Sequence, residues 1–196
     1  MSENRKIVKP ADIPDNVFSL IADDWFLLTA GTEKDGFNTM TASWGGLGEL
    51  WNKKVSFVFV RPQRHTWNFT EKNQLYTMSF YEEEHRPALK YCGTHSGRDV
   101  DKMAETGLTP FQPMQGTVAF EQARLIMVCR KLYYQDLQPS QFLFDGIEEL
   151  YPEKGYHRMY IGEVVKVLKN RLNRFDSGLT DLVLMCLNDR GVKVWR

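Results

Sequence analysis

No charge of either sign is in excess in this 196-residue chain: 25 Lys and Arg stand against 25 Asp and Glu. A general polyanion binder carries a basic surplus, so nucleic acid is not an expected partner, although a local phosphate site stays open. Cysteine is scarce, with Cys92, Cys129 and Cys186 an odd set that forms no CxxC motif. Neither a disulfide framework nor a zinc site is expected, and no metal site is assigned. Cys129, in an apolar run, reads as a buried thiol. No apolar run approaches a membrane span, and the opening MSENRKIVKPADIP lacks the apolar core of a signal peptide. The expected setting is soluble, reducing and cytoplasmic, with no membrane partner. Walker loop, GxGxxG, HExxH and nucleophile elbow are all missing, which argues against a Rossmann unit, a zincin or a triad hydrolase. Without internal repeats or a clear linker, residues 1–196 read as one domain, with an N-terminal extension over about 1–20 and a C-terminal segment over about 170–196.

What is present is alternation and aromatic bulk. Candidate strands are Trp25–Thr32, Asn38–Trp44, Val55–Arg61, Leu75–Phe80, Gly116–Gln122, Arg124–Tyr134 and His157–Leu168. Val55–Val60 is apolar at nearly every position, as in a strand buried on both faces. Lys34-Asp35-Gly36 marks a hairpin turn. Helical signals cover Arg64–Asn73, Glu82–Tyr91, a capped turn from Ser96 ending near Gly107, and Pro139–Leu150. Many strands and few helices predict a mainly β fold, an antiparallel barrel with helices inserted between strands. Five Trp, twelve Phe and eight Tyr either fill its core or line a pocket for a planar ligand.

Asn38–Gly48, NTMTASWGGLG, is the most informative stretch. Thr39, Thr41 and Ser43 alternate with Met40, Ala42 and Trp44, so one strand face carries only small hydroxyls. That face leaves room for something flat and polar, and the glycines that follow permit a tight turn or a close approach. Arg61-Pro62-Gln63-Arg64-His65-Thr66 places two arginines at a helix start, which suits a phosphate. The plainer reading is a polar loop with Thr66 as a cap. His95-Ser96-Gly97-Arg98 followed by Lys102 is a second such segment, or simply a capped helix with a solvated face. His157 begins an alternating strand at a barrel rim, and a lone histidine there is more often structural than catalytic.

The ordered series NTMTASWGG, VRPQRHT, LYTMSFY, ALKYCGTHSGRDVDKMAETGLTP, ARLIMVCRKLYYQDL and YHRMYIGEV resembles the flavin reductase-like family with the FMN-binding split barrel, in its flavoredoxin-like branch. The resemblance spans about Trp25 to Lys166. It implies a split β-barrel of Greek-key type and a homodimer with FMN near the subunit interface. It places Asn38, Thr39, Met40, Thr41, Ala42, Ser43 and Trp44 along the flavin ring and ribityl chain, and Ser79 and Phe80 on a strand at the ring. Arg61, Arg64, His65 and Thr66 would handle the phosphate, with Ser96, Gly97, Arg98 and Lys102 as a second anionic grip. His157 would stand near flavin and nicotinamide as the catalytic candidate. The implied activity is an FMN-dependent oxidoreductase taking electrons from NAD(P)H to flavin or another acceptor. The alternative is a flavoredoxin-type carrier that exchanges electrons with a redox partner protein and has no direct NAD(P)H activity.

Overall fold

The computed structural model describes residues 5–170. The C-terminal segment and Cys186 lie outside the described residues. Ten strands run β1 (Arg5–Val8), β2 (Phe26–Thr32), β3 (Gly36–Ala42), β4 (Gly45–Leu50), β5 (Lys53–Val60), β6 (Leu75–Phe80), β7 (Pro110–Phe111), β8 (Ala119–Phe120), β9 (Leu125–Asp136) and β10 (Arg158–Asn170). Between them stand α1 (Val17–Ala22), α2 (His65–Lys72), α3 (Arg86–Thr94) and α4 (Lys102–Thr106).

The main sheet is antiparallel, in the order β3-β2-β6-β9-β10-β5-β4, with β1 added to β10. The hairpins β2–β3 and β4–β5 therefore sit at opposite ends of the path. Yet β3 ends at Ala42 and β4 begins at Gly45. Three Cα steps reach at most about 11 Å, whereas six strand spacings laid flat cover about 29 Å. The sheet must curl until its ends meet at Ser43–Trp44. The result is a mostly β antiparallel barrel, as the strand pattern predicts.

Period-two alternation fills the interior. Phe26, Leu28, Ala30, Met40, Val58, Val60, Tyr76, Met78, Phe80, Met127, Tyr160 and Val167 point into one core. The alternate residues Leu27, Ile126 and Leu168 face outward and are covered by Leu89 and Cys92 of α3 and by Phe120. Helix α1 starts where Asn16 Oδ1 accepts from the Phe18 amide at 2.9 Å, and it buries Leu20 and Ile21 against the barrel.

Several elements depart from the sequence pattern. The glycines after Trp44 form strand β4 rather than a turn. A Cβ on Gly45 would lie 2.7 Å from the Phe57 carbonyl oxygen, so the bare backbone allows close pairing. β5 is not buried on both faces: Phe57 and Phe59 are half-buried, with Phe57 lying over the glycines of β4. The strand expected over Gly116–Gln122 shrinks to two residues. Pro139–Leu150 forms two 3-10 turns instead of a helix. Asp101, not Ser96, caps the helix that ends at Gly107, whose φ of +68° is the expected left-handed stop.

Inside the barrel, Tyr76 Oη lies 2.7 Å from Ser56 Oγ, and a Cβ on Gly162 would lie 2.2 Å from that same Oη. Gly162→Ala is therefore expected to cost about 1–3 kcal/mol of stability by overpacking. Chemical denaturation checks this, and Tyr76→Phe added to Gly162→Ala should recover part of the loss.

Candidate functional site

Strand β3 ends the sheet, so one of its backbone edges meets no other strand among the described residues. Thr39 O accepts from Lys102 Nζ at 2.7 Å and from Asn38 Nδ2 at 3.3 Å, so it points away from β2. In an antiparallel ladder the N–H and C=O of one residue point the same way and alternate along the strand. The unbroken register with β2 then turns the backbone of Thr41 to the open edge as well. The side chains tell a different story from the sequence pattern. Thr39 Oγ1 bonds Thr29 Oγ1 at 2.8 Å, and Thr41 Oγ1 donates to the Leu89 carbonyl of α3. The hydroxyl face is covered by α3, so what β3 offers is its backbone edge.

The two arginine-bearing segments, separate in sequence, meet across β3. Asn38 Nδ2 donates to Thr66 Oγ1 at 2.7 Å, tying β3 to α2. Thr66 is thereby a buried tether rather than the cap, a position taken by Arg64 without a side-chain bond. Gly97 presses against the same asparagine: a Cβ there would lie 2.0 Å from Asn38 Oδ1. Arg98 Nη1 donates to the Gln63 carbonyl at 3.3 Å. The cavity beside them has a volume of about 600 Å³ and is lined by Phe37, Asn38, Thr39, Gly97, Arg98 and Lys102, among others. Lys102 itself is only 6% exposed. Its ammonium donates to Thr39 O and, at 2.9 Å, to Cys92 O. Burial lowers its pKa.

A second cavity of about 260 Å³ continues along β3, lined by Met40 to Trp44, Phe59, Arg61, Arg64 and His157. The register puts Val60 opposite Arg158, so Arg61 leaves β5 beside the point where His157 enters β10. Trp44 packs on His157 with ring centroids 5.0 Å apart. His157 Nδ1 meets the Tyr151 hydroxyl at 2.8 Å. Arg61 donates to Leu150 O at 2.8 Å. Among the described residues the Arg64 guanidinium has neither a hydrogen bond nor an ion pair, and no carboxylate pairs with Arg61 or Arg98. Burial, then the charge of Arg61, lowers the Arg64 pKa. Burial, then the charges of Arg61 and Arg64, pushes His157 down to about 4, so the ring is neutral at neutral pH. An unpaired, half-buried guanidinium beside a free strand edge and an uncapped helix start suits an anionic ligand with a planar, hydrogen-bonding body.

Most of the residues singled out in the sequence converge here. Ser96 accepts from the Arg98 amide and shapes the Gly97 turn. Ser79 and Phe80 are fully buried in the barrel wall, with Phe80 packed against Phe26, and line neither cavity. Met40 and Ala42 point chiefly into the core. His65 stands at the start of α2, edge-on to Phe69. Its pKa is lowered by burial and by Arg98 and Lys102, and its Nδ1 is buried without a partner among the described residues. The sequence reading missed Phe59 and Tyr151. Phe59 was findable, since it sits two residues before Arg61 on the same strand face. Tyr151 carries no local signal, because only the fold of the β9–β10 connection brings it to His157.

Comparison with protein families matches residues 18–185 to the flavin reductase like domain. No curated protein matches the chain. Among solved structures, the FMN-binding domain of a flavin reductases-like enzyme from Shewanella baltica superimposes with a TM-score of 0.61 at 15% identity, covering 85% of this chain and 78% of that one. The FMN-binding protein from Thermus thermophilus with bound p-hydroxybenzaldehyde gives 0.58 at 21% identity, covering 82% and 79%. Flavoredoxin from Methanosarcina acetivorans gives 0.57 at 20% identity, covering 82% and 75%.

Lys102→Met should destabilise the fold by about 1–3 kcal/mol, because Cys92 O loses this donor and Thr39 O keeps only the longer bond from Asn38. Arg98→Ala, at the surface, should stay within about 0.5 kcal/mol. Denaturant titration of both variants separates the buried tether from the exposed cation. His157 should titrate by NMR with a midpoint near 4. Its pKa in the unfolded chain is about 6.5, so the unfolded state takes up the proton first. The stability that this histidine contributes is complete above pH 6.5 and is lost as pH falls toward 4.

Proposed function

The chain belongs to the flavin reductase-like domain family, and from that premise we propose that it is an oxidoreductase that binds FMN along the open edge of β3. In this reading it passes electrons from NAD(P)H to flavin or another acceptor. The observation that carries the reading is Arg64, unpaired among the described residues, in a cavity wall that faces an edge of β3 no described strand covers. A dianionic phosphate would complete it, and Arg61, Arg98 and the free amides at the start of α2 would share the charge. Gly97, having no side chain, lets this turn pack directly against Asn38. The amide of Thr41 is placed to donate to a flavin ring, and Trp44, 43% exposed, to cover it. Asn38, Thr66 and Lys102 act indirectly, fixing β3 against α2 and α4.

Hydride acceptance from a reduced nicotinamide and onward delivery of two electrons belong to FMN when bound. The chain's own work is to orient and to tune. Preorganised donors and cations at the ring favour the negative charge that reduction brings. His157, neutral and desolvated, offers a hydrogen bond without adding charge. Trp44, Phe59 and Tyr151 keep water from the cavity wall. We also propose a homodimer with FMN near the subunit interface. The exposed Trp51, Leu132 and Tyr133 supply apolar surface for it. No helix among the described residues is long and apolar enough to cross a membrane, and a cytoplasmic setting fits the two buried free thiols, Cys92 and Cys129.

The likeness to flavoredoxin favours a second reading, an FMN electron carrier served by a redox partner protein. Bleaching of the bound flavin by NADH or NADPH supports the first reading; bleaching only by a reduced protein supports the second. Arg64→Ala is expected to weaken FMN binding roughly 10- to 100-fold, since a charged hydrogen bond is worth about 1.5–3 kcal/mol. Fluorescence titration with FMN measures this, and an unchanged affinity would remove Arg64 from the site.

A further inference from the structure

We propose that Tyr151 is a positioning residue that holds the proton of His157 on Nε2, so that the ring offers the cavity a hydrogen-bond donor for an acceptor atom of a planar ligand. The donor role rests on the flavin reading; the placement of the proton does not. Tyr151 is 4% exposed, and among the described residues its hydroxyl bonds only His157 Nδ1, at 2.8 Å. A buried hydroxyl has one hydrogen to place, and that nitrogen is the acceptor within reach. If Nδ1 carried the proton instead, the tyrosine oxygen would accept it and the hydroxyl hydrogen would be left with no acceptor among the described residues. The imidazole proton therefore sits on Nε2, which bonds no described residue and belongs to a ring that lines the cavity.

The tyrosine is held firmly enough for this task. Its amide donates to Glu148 O at 2.9 Å, and its carbonyl accepts from the Lys154 amide at 2.9 Å. Lys154 turns the chain back with a φ of +54°. Phe142 stacks on one side of the Tyr151 ring, and the Arg61 guanidinium lies 5.0 Å from the ring centroid. The same arginine is tied to Leu150 O, so the hydroxyl cannot swing away without breaking these contacts. On the other side the imidazole is confined by Trp44 and, edge-on, by Phe59. The His157 carbonyl accepts from the Leu137 amide at 2.9 Å, which anchors the histidine backbone to the end of β9.

The ring nitrogens report the tautomer directly. In flavin-free protein labelled with 15N-histidine at neutral pH, the signals of His157, assigned by their loss in His157→Gln, should show a protonated Nε2 and a bare Nδ1. In Tyr151→Phe the ratio of the Nε2–H to the Nδ1–H form should fall several-fold. In Tyr156→Phe, whose hydroxyl bonds Glu148 in the same aromatic group, the ratio should hold. A proton on Nδ1 in the unmodified protein would overturn the proposal, and so would an unchanged ratio in a folded Tyr151→Phe. The measurement needs no flavin, so it fails independently of the flavin reading. Saturation with FMN should then shift the Nε2–H signal, and binding without a shift would overturn the donor role.

Discussion

A two-residue link, Ser43–Trp44, joins the two ends of a seven-strand path, and the rest of the architecture follows from that constraint. A link so short forces the sheet to curl, and curling makes an interior that the alternate residues of every strand must fill. It also brings an unpaired edge of β3 to the place where β5 ends and β10 begins. The candidate site is the seam of the barrel. It lies where hydrogen bonding between strands stops, so backbone amides remain available to a ligand.

Positive charge gathers at the part of this seam that carries Arg61, Arg64 and His157, whereas Glu33, Asp99 and Asp101 stand beside Arg98 and Lys102 at the larger cavity. Elsewhere the arginines are matched: Arg124 pairs with Asp15 and Asp24, and Arg158 with Asp136 and Glu71. At the seam, Arg61 and Arg98 bond backbone carbonyls, and Arg64 has no partner among the described residues. Burial, and then the two like charges beside it, explains why the His157 ring stays neutral: a third positive charge in a desolvated wall is too costly. An ensemble of zero net charge can therefore hold a strongly cationic spot, because charge is balanced globally and not locally.

The helices act as clamps on the edge strand. Asn38 is fixed by Thr66 of α2, Thr41 by Leu89 of α3, and Thr39 by Lys102 of α4. Three separate elements thus hold three residues of β3. Of the small hydroxyls that suggest a ligand platform in the sequence, Thr41's is spent on this clamping and Thr39's on Thr29 within the sheet. Sequence alternation reveals that a strand face carries small polar groups. It does not reveal whether a helix or a ligand lies upon it.

The amino-acid sequence by itself determined the strand pattern, the mainly β class and the local chemistry of the two arginine segments, because period-two alternation, turn residues and charge are local properties. It also marked β3 as special, since Thr39, Thr41 and Ser43 share a face by spacing alone. Only the tertiary structure decided that Gln63 and Arg98 touch, that Lys102 is buried on carbonyls, that Phe80 belongs to the core, and that Tyr151 meets His157. Each of these depends on how a crossover connection lands on a curled sheet. That is set by packing among residues distant in sequence, for which no single segment carries the information.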